Sequence, residues 1–105
     1  LTRKQTAAVC DYIEGNLALP LSLAALAAMA GVSVSHFKAL FKAAVGVPAH
    51  RYVVRRRVVR AVELIKAGEP LAQVALACGF AHQSHMARAM RGVLGQTPSQ
   101  IAREA

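Results

Sequence analysis

The chain has 105 residues, with thirteen Lys and Arg against five Asp and Glu, a formal net charge of +8 and a pI near 10.6. The length suits one domain or two small subdomains, and the charge implies an anionic partner, nucleic acid or a membrane surface. An apolar fraction of 55% excludes intrinsic disorder, while 22 alanines and only five aromatics argue for helices and against an all-β fold. In chain order, Thr2 with Gln5 makes a capping box that opens a first helix, with Val9, Tyr12 and Ile13 on its apolar face and an end near Asn16. Ser22 caps a short second helix, Leu23 to Ala30, stopped by Gly31. Ser33 caps a third, running to about Val45 and stopped by Gly46. Pro48 stands in the first turn of a long fourth helix reaching Ala67, with Gly68 beyond it. Pro70 opens a fifth, halted by Gly79; a sixth runs from about His82 to Leu94 and stops at Gly95. Thr97, Pro98 and Gln100 start a short seventh. No segment alternates with period two for long enough to make a strand, so the expected class is all-α.

The longest apolar stretch, residues 17–32, is interrupted by Pro20, Ser22 and Gly31 and is too short for a membrane span. Asp11 and Glu14 lie within an amphipathic N-terminal pattern, so no signal peptide is expected. Cys10 and Cys78 fall on apolar helical faces and read as buried thiols of a reducing compartment, here the cytoplasm, rather than as a disulfide framework. A chain that starts at Leu1 is expected to be a piece of something longer.

The sequence repeats itself. Leu26-Ala27, Gly31, Ser35, Phe37, Phe41, Gly46 and Pro48 match Val74-Ala75, Gly79, Ser84, Met86, Met90, Gly95 and Pro98 at offsets of 48, then 49, then 50 residues. Two copies joined by a long helix indicate duplication rather than a solenoid. Each copy reads as short helix, glycine turn, longer helix, which is the helix-turn-helix pattern. Ala27 and Ala75 stand at the fifth position, where a second helix crosses at close range and only a small side chain fits. Gly31 and Gly79 stand at the ninth, where the chain needs a left-handed conformation. The expected organisation is a first helix-turn-helix subdomain at 1–47, a linker helix at 48–67 and a second subdomain at 68–105.

Charge follows the same plan. Between Gly15 and Val62 lie Lys38, Lys42, Arg51, Arg55, Arg56, Arg57 and Arg60 with no acid, and between Pro70 and Arg103 lie Arg88, Arg91 and Arg103, again with none. Both longer helices of the repeats are thus free of local negative charge, as approach to phosphate requires.

The segment Val74-Ala-Leu-Ala-Cys-Gly-Phe80, with Gln83-Ser84, Met86, Arg88, Met90 and Gly95-Gln-Thr-Pro98, resembles the C-terminal signature of AraC/XylS-family transcription regulators. Leu23-Ala-Ala-Leu-Ala27, Val32-Ser33, His36-Phe37, Leu40-Phe41-Lys42, Gly46, Tyr52, Arg57-Val58 and Ala61 are similar to the family's first half. The resemblance covers almost the whole chain. It implies seven helices, a long central helix joining two helix-turn-helix subdomains, and two recognition helices (about 33–45 and 82–94) entering successive major-groove segments. Met86 and Met90 replace the family's common phenylalanines, Ile101 stands near its tyrosine, and Ala39 stands where an arginine is frequent.

In the third helix Phe37, Leu40 and Phe41 define a core face, leaving Ser35, Lys38, Ala39 and Lys42 outward, a set suited mainly to phosphate. In the sixth, Met86, Met90 and Val93 face inward. Ser84, Arg88 and Arg91 face outward, and His82 and Gln83 project from the tip. Arginine pairs bidentately with guanine and glutamine with adenine, so Arg88 and Gln83 are expected to read bases, while Arg91 suits phosphate or base. On the linker, Val54, Val58, Ala61 and Ile65 set the inner face, Arg56 and Arg60 point outward, and Arg57 either braces the subdomains or meets DNA. His36 matches a family position close to the DNA backbone; His50 reads as an ordinary polar residue.

No cofactor or metal is expected, because His82 and His85 lack a third ligand, and no nucleophile–base pair or phosphate loop suggests an enzyme. The expected partner is double-stranded DNA, with RNA polymerase and an absent effector or dimerisation domain as further partners of an activator-type bacterial regulator. A nonspecific nucleoid-type DNA-binding protein is the alternative, followed by a basic helical module for a protein or membrane surface.

Overall fold

The computed structural model describes all 105 residues, in seven helices: α1 (Arg3–Gly15), α2 (Leu23–Ala30), α3 (Val34–Val45), α4 (Ala49–Lys66), α5 (Leu71–Ala77), α6 (Gln83–Leu94) and α7 (Pro98–Glu104). They form two compact units, Leu1–Val53 and Val54–Ala105, and the division falls inside α4. Ala49 and Val53 join the first core, whereas Val58, Ala61 and Ile65 join the second.

The first core gathers Val9 and Ile13 from α1, Leu17 from the connection after it, Leu26 and Ala27 from α2, and Phe37 and Phe41 from α3. The second gathers Val74, Ala75, Cys78 and Phe80 with Met86 and Met90 of α6 and Ile101 of α7. The caps work locally as the sequence predicts. The Gln5 N–H donates to the Thr2 hydroxyl at 3.0 Å, and the Thr2 N–H donates back to the Gln5 side chain at 2.9 Å. Thr97 and Gln100 repeat this pair at the start of α7, at 3.2 and 2.7 Å.

Both helix-turn-helix corners are built by one bond pattern. The Val32 N–H donates to the Ala27 carbonyl at 3.1 Å and the Phe80 N–H to the Ala75 carbonyl at 2.9 Å. Closing such a loop over a helix end needs a left-handed residue, supplied by Gly31 at φ +70° and Gly79 at φ +84°. Ala27 and Ala75 are both buried, which explains why neither carries a larger side chain. Across the first corner the chain turns by 79° between α2 and α3.

Four residues sit less deeply than the sequence suggests. Tyr12 and Leu40 lie three residues beyond Val9 and Phe37, about 80° from the middle of the stripes Val9/Ile13 and Phe37/Phe41. Tyr12 is exposed and Leu40 only half-buried, because each sits at the edge of its stripe. Cys10 is half-buried for the same reason on the other side, so only Cys78 is a fully buried thiol. Val93 has the right angle on α6 yet is exposed. Val93 lies in the last turn of α6 beside Leu94, which is exposed as well, so this end of the helix is left uncovered whatever the angle of its side chains. No single helix is long and apolar enough to cross a membrane.

Candidate nucleic-acid interface

In the first unit, the His36 N–H donates to the Ser33 hydroxyl at 3.1 Å, fixing the start of α3. Phe37 and Phe41 are fully buried and anchor the helix, with ring centroids 5.7 Å apart, while Tyr52 meets Phe41 edge-on at 5.6 Å. The anchored face turns Ser35, Lys38, Ala39 and Lys42 to the outside, and all four are exposed together with Val34 and His36. Lys38 and Lys42 line a cleft of about 470 Å³ with Leu23, Pro48, Ala49 and His50. Two lysines therefore share this cleft with the first residues of α4, a helix start whose N–H groups and partial positive charge favour an anion.

In the second unit, α6 starts at His82. The His85 N–H donates to His82 Nδ1 at 3.1 Å, and the Ala81 N–H donates to His85 Nδ1 at 3.2 Å. The His85 ring stands edge-on to Phe80 at 5.3 Å. Both imidazoles thus serve the backbone through Nδ1, and His82, expected at the DNA interface, is first of all the N-cap of α6. His82→Ala should lower stability by about 1 kcal/mol, whereas His82→Asn should hold the wild-type urea midpoint, since Asn caps as well. Equal midpoints for the two variants would show that the cap carries no stability.

Met86 and Met90 are fully buried, and this turns Gln83, Ser84, Arg88 and Arg91 outward, all four exposed. Gln83 and Ser84 line two shallow clefts. One, of about 410 Å³, is shared with Ala72, Leu76, Ala81 and His82; the other, of about 340 Å³, is shared with Leu71, Thr97, Pro98 and Ser99. The second is the repeat counterpart of the Lys38/Lys42 cleft, since Leu71 corresponds to Leu23 and Pro98 to Pro48. The proline correspondence is visible in sequence, but that each proline borders a cleft against the recognition helix is not. His50, which the sequence analysis read as an ordinary polar residue, lines the cleft with Lys38 and Lys42, and Val34 is exposed at the start of α3.

The linker arginines divide. Arg60 is exposed and pairs with Glu63 at 3.1 Å; with both side chains more than half exposed, the pair contributes little to stability. Arg56, expected to point outward, is half-buried and is not a free cation. A helical wheel records the angle on its own helix and not what tertiary neighbours cover. Arg57 is half-buried, and burial pulls its guanidinium below its ordinary pKa, against the favourable effect of Cys78. Burial pushes the Cys78 thiol up despite Arg60 and Arg57 nearby, so it stays protonated and inert. Glu104 accepts from the Gln96 side chain at 3.1 and 3.3 Å, so the acid nearest α7's end already has a donor.

A family model described as "Helix-turn-helix domain" matches residues 26–104. The chain is 41% identical over 90 residues to the probable transcriptional regulator LumQ of Photobacterium leiognathi, covering 85% of this chain and 36% of LumQ. It is 35% identical over 89 residues to the transcriptional activator AarP of Providencia stuartii, covering 84% of this chain and 66% of AarP. It therefore spans about a third of the length of the first of these relatives. Among solved structures, an AraC-type transcriptional regulator from Chromobacterium violaceum superposes with a TM-score of 0.87 at 27% identity, over 97% of this chain and 92% of that one.

Proposed function

Because the chain belongs to the AraC/XylS-type helix-turn-helix family, a family of DNA-binding transcription regulators, we propose that α6 reads base sequence and α3 anchors on phosphate within one bacterial operator. The observation that carries this division is the pair of outward faces. Arg88 and Gln83 bring fork-shaped donors to the exposed face of α6, while α3 presents Lys38 and Lys42 beside the cleft with His50. Arginine and glutamine forks match guanine and adenine edges, whereas lysine is a point charge suited to phosphate. Ser35, Ser84, His36, His82 and Arg91 flank these groups and complete the contact set. The half-burial of Arg57 supports a bracing role, and the ion pair of Arg60 leaves it a secondary phosphate contact. Arg56, half-buried, is assigned no base contact.

The chain acts as a binding module and not as an enzyme, within a cytoplasmic regulator whose effector or dimerisation domain lies outside these residues. Activation, as the name of AarP states for that protein, would bring RNA polymerase as a further partner. The test is selection of bound sequences from a random duplex pool, followed by titration against salt. Log affinity should fall linearly with log salt by about 0.9 per phosphate neutralised, hence by about 3 for Lys38, Lys42 and Arg91 alone. Binding that hardly changes with salt would remove the phosphate-anchoring reading. Failure to enrich any sequence would favour the nonspecific alternative.

A further inference from the structure

We infer that the first unit is itself a base reader, and that it recognises thymine through the 5-methyl group, with Val34 and Ala39 as the contacting side chains. The inference rests on the DNA-reading function proposed above and amends its division of roles: α3 keeps its lysines on phosphate and adds a base contact of its own. Aligning the two copies on their helix caps, Ser33 and His82, places Val34 opposite Gln83 and Ala39 opposite Arg88. The two positions that hold hydrogen-bonding forks in the second unit thus hold two bare apolar groups in the first.

Both groups are available. Val34 is the first residue of α3, is 38% exposed and takes no part in the core around Phe37 and Phe41. Side chains in the first turn lean toward the helix N-terminus, so Val34 projects past the tip, the end that meets base edges when a recognition helix enters the major groove. Ala39 is exposed on the outward face, one residue from Lys38. The Ser33 hydroxyl, the nearest polar group ahead of Val34, already accepts the His36 N–H at 3.1 Å. The foremost side chain of α3 is thus the branched apolar Val34, with the exposed polar Ser35 and His36 beside it in the same turn. Among the four bases, only thymine carries an apolar group on its major-groove edge. The lysines on the same helix hold the backbone, and the branched Val34 side chain reaches for the methyl.

The experiment uses the 105-residue chain and a duplex selected from a random pool. The base pair whose preference Arg88→Ala relaxes marks the segment of the second unit, and the neighbouring segment belongs to the first. In that segment each thymine is replaced in turn by deoxyuridine, which removes only the methyl. One or two replacements should weaken binding roughly fourfold each, the ratio equivalent to the ~0.8 kcal/mol of one methyl group kept in water. In Val34→Ala the penalty at one of these positions should vanish, while thermal melting stays at the wild-type value. Restoring the methyl on a different base, by comparing 5-methylcytosine with cytosine at the same position, should recover part of the affinity. Uridine tolerated throughout the segment overturns the inference, and so does a uridine penalty that persists in Val34→Ala, which would mark DNA stiffness rather than contact. In either case the enriched consensus and the salt dependence would still stand for the DNA-reading function. Loss of those two would fail that function itself.

Discussion

Arg88→Ala is expected to lose about 1–3 kcal/mol on the preferred operator and to relax selectivity at a single base pair. The guanidinium has no acid on its own helix, is exposed, and stands one turn past the tip where Gln83 projects. A bidentate pair to guanine satisfies both acceptors on that base at once, so removing the fork penalises the correct base and leaves the others nearly unaffected. Lys42→Ala should behave differently, weakening good and poor sites alike and lowering the salt slope by about one unit. Footprinting should show two protected major-groove segments roughly 10 base pairs apart, as two recognition helices on one face of a duplex require. Titrations of both variants against a selected site and its single-base mutants decide the assignment. If Arg88→Ala lost affinity uniformly while Lys42→Ala altered base preference, reader and anchor would exchange places.

Phe41→Ala should cost about 3–5 kcal/mol of folding stability, a large part of the ~5–15 kcal/mol available to a domain of this size. The ring is completely buried and meets two others, Phe37 at 5.7 Å and Tyr52 edge-on at 5.6 Å, so truncation leaves a void that neither aromatic neighbour can fill without leaving its own contact. The functional consequence follows from position: Phe41 and Phe37 are what hold Lys38 and Lys42 outward. A urea titration should show a lower midpoint for Phe41→Ala and a smaller drop for Phe41→Leu, which keeps more of the volume. Wild-type midpoints for both variants would show that the aromatic cluster does not hold the first unit together. The second core places Met86 and Met90 at the matching positions, where flexible thioethers fill the space that two phenylalanines fill in the first.

The sequence alone determined the helical class, the seven elements and the two corners, because each of those signals is local. A capping box needs residues three apart, a helix stop needs one glycine, and the buried Ala27 and Ala75 announce themselves by recurring 48 residues apart. It also determined which helices carry positive charge without acid, and hence the anionic partner. Only the tertiary structure decided depth. A wheel gives the angle of Val93 but not the exposure of the last turn of α6, and it gives Arg56 an outward direction that its surroundings partly cover. Likewise, His82 is spoken for by the His85 N–H, and the cleft joining Lys38 and Lys42 to His50 depends on where α4 begins. Periodicity specifies rotation about one axis. Burial, and with it the chemistry left free for DNA, depends on the placement of the neighbours.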